Sequence, residues 1–402
     1  MIIAKVENEE LIMHVLIDAS NVNAIGPRVL VLNLLPALMR AMFGWQVTLF
    51  LPNTQDFMDL PVNIQTRAIY WKIGRGKLND FYRLKRLYWD LPRMADKLNP
   101  DVVLTLGDLG ALRLHCPHVI FLHNSYFVYS RSEVNNFTWP LLKYVYIIKH
   151  FTWIIRSARR VIVQTPVMAE RLARRYSISP GRIVQIAQPV PQNVLLGLDS
   201  QTRFTPIENC TKPVRLLFLS VHYPHKNHAI LPSVAKELRR RGLASQVHIF
   251  TTLDENQDGW CSLQKAIEQY ADVITNLGRL PSDQVADALR SSSALFLPTL
   301  AESYGLIYLE AMACGVPILT SDRDFARWMC RDLAFYFDPF DSASIVDAVD
   351  LLRNNMPPLD YSQKAKQRME SFPKDWDEVA HSFVEVLLNS AGVTHDGLAK
   401  SL

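Results

Sequence analysis

The chain has 402 residues, of which 49% are hydrophobic and 20% are charged, and its formal net charge is +4. This composition is that of a folded globular protein, and the length predicts two domains. The small net charge gives no reason to expect a nucleic-acid partner, and no uncharged apolar run reaches the roughly eighteen residues that a membrane span needs.

The cysteines are scattered and show neither a CxxC pair nor a Cys/His spacing typical of zinc ligands. We therefore expect neither a disulfide framework nor a zinc site. The first twenty residues, MIIAKVENEELIMHVLIDAS, carry acidic residues ahead of the apolar run, which is not the pattern of a signal peptide. A cytoplasmic location is the resulting expectation.

Short apolar runs alternate with helical patterns from one end of the chain to the other. The strand candidates of the first half are MHVLIDAS, QVTLFLP, RAIYW, DVVLTLG, HVIFLHN, RVIVQT and RIVQIAQ. Those of the second half are RLLFLSV, QVHIFTT, DVITNLG, ALFLPT, PILTSD and AFYFDP. Continuous rather than alternating apolar runs are typical of strands that are buried on both faces. With helices between them, they predict βαβ units and two parallel sheets.

A stretch rich in Pro, Asn, Gln and Thr, residues 188–213, separates the two halves and predicts the domain boundary. We assign residues 1–195 to an N-terminal domain and residues 196–375 to a C-terminal domain. Residues 376–402 form a last helix that follows a proline and is predicted to pack towards the N-terminal domain.

The stretch ESYGLIYLE places two carboxylates, Glu302 and Glu310, between apolar flanks. ALFLPT predicts a buried strand, LAES a polar turn, and YGLIYLEAMACG a helix ended by Gly315. Glu302 would then lie at the carboxyl end of a parallel strand, where open α/β sheets bind ligands. Gly305 would open the helix and offer backbone N–H groups to a phosphate, and Glu310 could accept hydrogen bonds from a ribose diol. From the pattern alone, a capping carboxylate and an exposed helix glutamate remain an equal alternative.

The longer segment LFLPTLAESYGLIYLEAMACGVPILTSD resembles the signature of glycosyltransferase family 4. VRLLFLSVHYPHKNHAIL and LGRLPSDQVADALRSSSALFLP resemble two further segments of that family, and the likeness covers residues 211–350 well. The resemblance implies a GT-B fold, in which two Rossmann-like domains face a central cleft. It implies that the N-terminal domain, residues 1–195, binds the acceptor and that the C-terminal domain, residues 196–375, binds the nucleotide sugar. It also implies a retaining transferase that moves a hexose from a nucleotide diphosphate sugar to a glycan or lipid-linked acceptor, in bacterial polysaccharide or glycolipid assembly.

Carried over residue by residue, the resemblance gives each part of the donor a partner in the second domain. Glu302 would hold the sugar hydroxyls, Glu310 would bind the ribose, and Lys226 would neutralise the departing diphosphate. The predicted backbone contacts are Tyr304, Gly305 and Leu306 for the diphosphate and Leu277 and Gly278 for the base. Charge develops on the diphosphate as the glycosyl bond breaks, so a lysine and a helix start suit this place.

Three further residues complete the predicted site. His123 ends the strand HVIFLHN, where family members usually carry a histidine close to donor sugar and acceptor; a structural histidine is the alternative. Gly26 would let the backbone approach the diphosphate or the acceptor, unless Gly26-Pro27 is simply the start of a helix. His222 is included as a nucleotide contact, because Val221 and His222 stand where family members often carry an arginine.

No cofactor and no catalytic metal are expected. The string DRD at residues 322–324 imitates a metal motif of another transferase fold, but it follows the wrong strand and is interpreted as a loop and helix cap. The expected partners are the nucleotide-sugar donor and the acceptor, without nucleic acid. Two other functions stay open: a nucleotide-sugar epimerase of the same fold, and a degraded GT-B protein that only binds a membrane or a partner.

Two stretches, FYRLKRLYWDLPRMADKL and WPLLKYVYIIKHFTWIIRSARR, mix Lys and Arg with aromatic residues at helical spacing. One interpretation is contact with an anionic membrane through a basic, aromatic face. The other is a helix whose aromatic face is buried and whose basic residues face solvent. The first interpretation adds peripheral membrane association to the cytoplasmic location.

Overall fold

A computed structural model describes residues 13–22, 25–60, 66–71, 78–134, 140–190, 194, 204–256, 260–355 and 360–393. The chain divides into two compact units. The first comprises Met1–Val128, Pro140–Gln188 and Asp375–Leu402, and the second comprises Tyr129–Trp139 and Pro189–Lys374. Each unit contains one sheet whose strands are all paired in parallel, and helices join successive strands except β4 and β5, which a loop connects. The predicted α/β class with two parallel sheets is confirmed.

The first unit contains a seven-stranded sheet in the order β3-β2-β1-β4-β5-β6-β7. Its strands are β1 (His14–Asp18), β2 (Gln46–Pro52), β3 (Thr66–Trp71), β4 (Val102–Thr105), β5 (His118–Leu122), β6 (Arg160–Val163) and β7 (Ile183–Gln185). Its helices are α1 (Ile25–Ala41), α2 (Gln55–Met58), α3 (Leu78–Lys85), α4 (Leu91–Leu98), α5 (Leu141–Ser157), α6 (Pro166–Tyr176) and the last helix of the chain, α15 (Trp376–Ala391). A π-helical turn, Arg86–Asp90, joins α3 to α4.

The second unit contains a six-stranded sheet in the order β10-β9-β8-β11-β12-β13. Its strands are β8 (Val214–Phe218), β9 (Val247–Thr251), β10 (Ile274–Asn276), β11 (Ala294–Leu297), β12 (Ile318–Ser321) and β13 (Ala334–Phe337). Its helices are α7 (Thr205–Glu208), α8 (Leu231–Arg240), α9 (Trp260–Gln269), α10 (Val285–Ser291), α11 (Leu306–Ala313), α12 (Asp324–Cys330), α13 (Ser342–Asn354) and α14 (Tyr361–Met369).

Every strand lies within one of the predicted apolar runs, except that β3 and β8 each begin one residue earlier, at Thr66 and Val214. The runs are apolar because the central strands are covered by helices on both faces. In β1, β5, β9 and β11 all side chains are buried. The edge strand β3 is only partly buried and carries polar residues, as expected where one side of the strand is unpaired.

The last helix, α15, belongs to the first unit. It shares an apolar core with α1, and Phe383 packs edge-to-face on Phe121 of β5 with ring centroids 5.2 Å apart. Asp375 caps its first turn by accepting from the backbone N–H of Glu378. The unit boundary after Gln188 lies within the predicted linker, and residues 129–139 group with the second unit although they were assigned to residues 1–195.

The strand orders fix where each unit can bind a ligand. In the first sheet the order reverses between β1 and β4, and in the second it reverses between β8 and β11. At such a point the loops leaving the two neighbouring strands diverge and leave a crevice at the carboxyl edge of the sheet. Loops after β8 and β11 in the second unit, and after β1 and β4 in the first, are therefore the places to search for a site.

Candidate active site

Lys226 and Glu302, 76 residues apart in the chain, meet at the switch point of the second sheet. Lys226 follows β8 and Glu302 follows β11, and Lys226 Nζ lies 2.6 Å from Glu302 Oε1. The same carboxylate oxygen accepts a hydrogen bond from Thr299 Oγ1 at 3.0 Å. Both charged side chains are largely buried, with 17% and 10% of their surface exposed. The fold thus brings together two of the three predicted catalytic residues.

Backbone hydrogen bonds hold the two segments that carry Lys226 and Glu302 next to each other. The carbonyl of His225 accepts from the backbone N–H of Leu300 at 2.7 Å and lies 3.1 Å from Thr299 Oγ1. It therefore shares the single hydroxyl hydrogen of Thr299 with Glu302. These bonds tie the turn that carries Lys226 to the loop that carries Glu302. Asn227, in a left-handed conformation, donates from its side chain to the Pro339 carbonyl at 2.8 Å. Sequence reasoning did not identify Thr299, although it lies within the quoted motif.

Gly305 opens helix α11 as its capping residue, with Tyr304 before it and Leu306 as the first helical residue. Its φ is +84°, and a Cβ at this position would lie 2.6 Å from Cδ2 of Tyr308. Tyr308 cannot move aside easily, since it is fully buried and hydrogen-bonded to Thr320 Oγ1 at 2.8 Å. The helix start is therefore built for glycine, and its first-turn N–H groups are suited to an anion.

Glu310 lies in α11, just over one helical turn beyond Gly305. Burial raises the pKa of its carboxyl to about 7. Its carboxylate accepts no hydrogen bond from any residue that the structure describes. A poorly solvated carboxylate without protein donors carries a free-energy cost, and such groups concentrate at binding sites. The predicted ribose diol would supply the missing donors.

We expect Glu310→Gln to stabilise the unliganded protein at alkaline pH. A carboxyl whose folded pKa is raised favours the folded state below its ordinary pKa, and this advantage disappears as the pH rises through about 7. From about pH 5 to about pH 8 the wild type should lose about 2–3 kcal/mol of unfolding free energy relative to the variant. Urea denaturation of both proteins across this range measures the difference.

A rise in pH should strengthen nucleotide binding by the wild type, although it lowers the stability of the unliganded protein. The wild type should bind a nucleoside diphosphate more weakly below pH 7, where Glu310 is protonated, and Glu310→Gln should bind at least about tenfold more weakly at alkaline pH. Glu268→Gln, an exposed glutamate of α9, is the matched control and should change neither quantity. Equal pH dependence of stability in wild type and Glu310→Gln would contradict the assignment.

The remaining predicted nucleotide contacts lie in neighbouring loops of the same edge. Leu277 follows β10 and donates its backbone N–H to the Thr251 carbonyl, so this group is already used by the sheet. Gly278 has a φ of +73°, and a Cβ there would meet nothing within 4 Å. His222 lies in the loop after β8, with its ring 5.4 Å from that of His228. The roles of these residues stay predictions.

Two histidines near Lys226 do not add positive charge to this edge. His228 is buried, stacks on Phe218 with ring centroids 4.2 Å apart, and has its pKa lowered well below the usual value by burial. Burial and then the nearby Lys226 lower the pKa of His225 in the same way. Both rings are therefore neutral near pH 7, and Lys226 carries the charge of this turn.

A cavity of about 540 Å³ lies further along the same sheet edge. It is lined by residues that follow β12 and β13, among them Asp322, Arg323, Asp338 and Phe340, and by none of the predicted site residues. Asp322 forms an ion pair with Arg327 at 2.7 Å, and Asp324 accepts from the backbone N–H of Phe325 and from Tyr129. The DRD string thus forms a loop and the start of α12.

In the first unit, His123 lies directly after β5 and is buried. Its Nε2 is 2.8 Å from the Leu106 carbonyl, and its Nδ1, which has no directed hydrogen bond, lies 3.5 Å from Asp108 Oδ1. Asp108 Oδ1 accepts from the backbone N–H groups of His123 and Asn124. Burial raises the pKa of Asp108, and the neighbouring His123 opposes that shift. Sequence reasoning missed Asp108, although it follows the buried run VVLTLG.

Gly26 lies in the first turn of α1 and is exposed, and a Cβ there would meet nothing within 4 Å. The protein itself therefore does not require glycine at this position. A ligand that approaches the backbone closely would require it, and that role of Gly26 stays a prediction. Among the described residues, no cluster of three or more His, Cys, Asp or Glu side chains is arranged to hold a metal ion.

A buried ion pair at the switch point of the first sheet was not predicted. Asp18, which ends β1, lies with its Oδ2 2.5 Å from an η-nitrogen of Arg86 in the π-helical turn. Arg86 also donates to the Leu109 carbonyl, and Ser20 donates to Asp18 Oδ1. Arg86 belongs to a stretch interpreted as having its basic residues in solvent or at a membrane, so for this residue both interpretations are wrong.

Two Rossmann-like units, each with a parallel sheet whose strand order reverses once, define the GT-B class of glycosyltransferase folds. Family comparison agrees in both halves: the model described as Glycosyltransferase Family 4 matches residues 26–193, and the model described as Glycosyl transferases group 1 matches residues 200–369. The chain belongs to this family, the group 1 glycosyltransferases of family 4.

Curated relatives match only part of the chain. The D-inositol 3-phosphate glycosyltransferase of Rhodococcus opacus (strain B4) is 24% identical over 42% of this chain and 39% of its own length. The enzyme of the same name from Paenarthrobacter aurescens (strain TC1) is 29% identical over 42% of each chain. The phosphatidyl-myo-inositol mannosyltransferase of Mycobacterium leprae (strain TN) is 33% identical over 28% of this chain and 31% of its own length. These matches span well under half of each relative.

Solved structures resemble nearly the whole chain in fold. Sucrose-phosphate synthase from Thermosynechococcus elongatus superposes with a TM-score of 0.69 at 15% identity and covers 94% of this chain and 98% of its own. HepE from Anabaena, solved with UDP and glucose, gives a TM-score of 0.63 at 14% identity and covers 94% of this chain and all of its own. At such identities the likeness establishes the fold.

Proposed function

We propose that this protein is a retaining glycosyltransferase that moves a hexose from a nucleotide diphosphate sugar to a glycan or lipid-linked acceptor. The observation that carries the proposal is the Lys226–Glu302 pair at the switch point of the second sheet, beside the glycine-capped start of α11. Family membership supports it. Several relatives bear glycosyltransferase names, and one solved neighbour holds UDP and glucose.

The proposed donor fits the chemistry of this edge. Breaking the glycosyl–phosphate bond leaves a new negative charge on the diphosphate, which Lys226 and the first-turn N–H groups of α11 stabilise. Glu302 accepts hydrogen bonds from the sugar hydroxyls and fixes the sugar ring. Glu310 accepts from the ribose, and the backbone near Leu277 and Gly278 borders the base. No cofactor or catalytic metal takes part in this scheme.

Lys226 and Glu302 neutralise each other through their ion pair. The donor would replace this single ion pair with two interactions, because the phosphate attracts Lys226 and the hydroxyls bind Glu302. The ion pair holds both side chains in place before the donor arrives, which reduces the ordering cost of binding.

The acceptor is assigned to the carboxyl edge of the first sheet, with His123 and Gly26 as its proposed contacts. Retention follows if the acceptor hydroxyl attacks from the face that the diphosphate leaves and a phosphate oxygen takes its proton. The C1–O bond to the diphosphate breaks, the C1–O bond to the acceptor forms, and the nucleoside diphosphate leaves protonated. A polysaccharide or glycolipid intermediate is the proposed acceptor.

The test is a screen of UDP-, GDP- and ADP-linked hexoses without acceptor. One donor class should release free nucleotide and free sugar slowly, because water replaces the acceptor when none is present. NMR of the product made with an acceptor then shows whether the anomeric configuration is retained. Recovery of an epimerised donor, or no turnover of any donor with or without acceptor extracts, would contradict the proposal.

A further inference from the structure

Helix α5 of the first unit presents a second apolar face that no described part of the chain covers. The exposed side of the helix, which we call the α5 surface, comprises Leu141, Leu142, Val145, Tyr146, Lys149 and Trp153. Leu142 is 86% exposed, Leu141 63% and Trp153 55%. Spacings of three and four residues place these side chains on one side of the helix.

The fold itself does not need the α5 surface. The opposite face of the helix carries Phe151, Ile154 and Ile155, which are fully buried. Phe151 stacks on Phe127 with ring centroids 4.1 Å apart and fixes the helix to the unit. Single exposed apolar residues are normal, but a contiguous row of large ones marks an interaction site.

The π-helical turn extends this surface. The hydroxyl of Tyr88 is hydrogen-bonded to Nδ1 of His150, and the Tyr146 ring lies 4.0 Å from the His150 ring, measured between centroids. Trp89, next to Tyr88, is 54% exposed. Aromatic side chains from two separate segments of the chain therefore join in one outward-facing area.

The charges of α5 are positive, and Asp90, which follows Trp89 in the π-helical turn, is paired with Lys85. Residues 141–157 include Lys143, Lys149 and Arg156 and contain no Asp or Glu. The Lys149 ammonium lies 5.8 Å from the centre of the Trp153 ring, and the Arg93 guanidinium lies 5.7 Å from that of Trp89. Cations beside Trp and Tyr rings at an apolar surface are the arrangement of interfacial helices, in which the rings enter the headgroup region and the cations meet lipid phosphates.

We propose that the α5 surface, together with Tyr88 and Trp89, docks this protein onto an anionic lipid bilayer. A second copy of the chain would set this positive, aromatic area against a like-charged surface. The bilayer offers both an apolar layer and negative phosphates. At 17 residues α5 is about 25 Å long and lies on the membrane rather than across it, and no helix in the described part of the chain meets the requirements of a membrane span.

This inference gives the lipid-linked acceptor of the proposed function its location, and to that extent it rests on that function. The two remain separately testable. Binding to vesicles requires no turnover, and nucleotide release from a soluble donor requires no vesicle. Failure of one therefore leaves the other standing.

The test measures co-sedimentation of the full chain with vesicles of phosphatidylcholine alone and with an equimolar mixture of phosphatidylcholine and phosphatidylglycerol. Binding should be clear on the anionic vesicles, weak on the neutral ones, and reduced by salt. Leu142→Ser combined with Trp153→Ser should weaken binding on the order of a hundredfold. Lys149→Glu should weaken it about fivefold or more.

Matched controls lie elsewhere on the surface. Phe43→Ser removes an apolar side chain that is 82% exposed in the turn after α1, and Lys236→Glu reverses an exposed lysine of α8. Both should bind vesicles like the wild type, and all variants should keep the wild-type circular dichroism spectrum. Equal binding to neutral vesicles, equal loss in the controls, or no vesicle binding together with a dimer that Leu142→Ser dissociates would each overturn the proposal.

Discussion

Glu302→Gln and Lys226→Met should each reduce donor cleavage by about a hundredfold to a thousandfold, the usual cost of removing one group that stabilises developing charge. Lys226 loses its effect on the departing diphosphate when its charge is removed. Glu302 loses its charge, and with it the strong hydrogen bonds to the sugar hydroxyls. The measurement is the rate of nucleotide release from the donor identified by the screen, with and without acceptor.

The two effects should not add. Lys226 Nζ and Glu302 Oε1 are 2.6 Å apart and share one site, so each single variant already disables it. The double variant should therefore be only slightly slower than either single variant. A double variant slower by the product of the two factors would show that the residues act independently.

Stability must be measured alongside activity. Lys226→Met leaves the Glu302 carboxylate, with 10% of its side chain exposed, without its cation. This variant should be less stable than Glu302→Gln, and the double variant should recover part of the loss. Lys236→Met, at an exposed position of α8, is the matched control and should change neither rate nor stability. A Lys226→Met protein that cleaves the donor at the wild-type rate would remove this residue from the mechanism.

Arg86→Met should lower the unfolding free energy by about 3–5 kcal/mol. This loss should be larger than that caused by Lys226→Met or Glu302→Gln. Arg86 and Asp18 have only 2% and 1% of their side chains exposed, so the substitution leaves a carboxylate deep in the first unit without its cation. It also removes the donor to the Leu109 carbonyl. Urea or guanidinium denaturation, followed by tryptophan fluorescence and circular dichroism, measures the change.

The neighbouring residue, Lys85, provides the control that isolates the effect of burying the charge. Lys85 pairs with Asp90 at 2.7 Å, but 45% of the lysine side chain is exposed, so Lys85→Met should cost less than about 1 kcal/mol. Asp18→Asn should restore much of the stability of Arg86→Met, because the uncompensated charge is then gone. Similar losses in Lys85→Met and Arg86→Met, or no rescue by Asp18→Asn, would show that the pair is not the source of the effect.

The positions of the candidate site residues that follow β11 could be predicted, because they depend only on neighbouring residues in the chain. A buried run, a polar turn, a glycine and a helix follow one another within residues 294–313, and this order places Glu302, Gly305 and Glu310 along one edge without any knowledge of distant residues. The φ of +84° at Gly305 and the helix start at Leu306 confirm the local prediction. Their roles toward a nucleotide sugar stay predictions until the donor is tested.

The contacts that complete the site could not be predicted, since they join distant segments. Nothing in the sequence near Thr299 indicates that its hydroxyl bridges the His225 carbonyl and Glu302. Nothing near Arg86 indicates a partner at Asp18, 68 residues earlier. For α5 the sequence left two interpretations open, and each describes one face: a buried aromatic and aliphatic face, and an exposed basic and aromatic one.

The sequence by itself determined the α/β class, the approximate position of each strand in the chain, the family, and the placement of the candidate site residues at strand ends. These depend on the period of apolar residues and on turn chemistry, which act over a few neighbours in the chain. Tertiary structure alone decided which charges pair, which carboxylate finds no hydrogen-bond donor among the described residues, and which aromatic residues face outward. Burial and pairing are properties of surroundings assembled from remote segments, so the pKa of Glu310 and the buried state of Arg86 appear only once the sheets are formed.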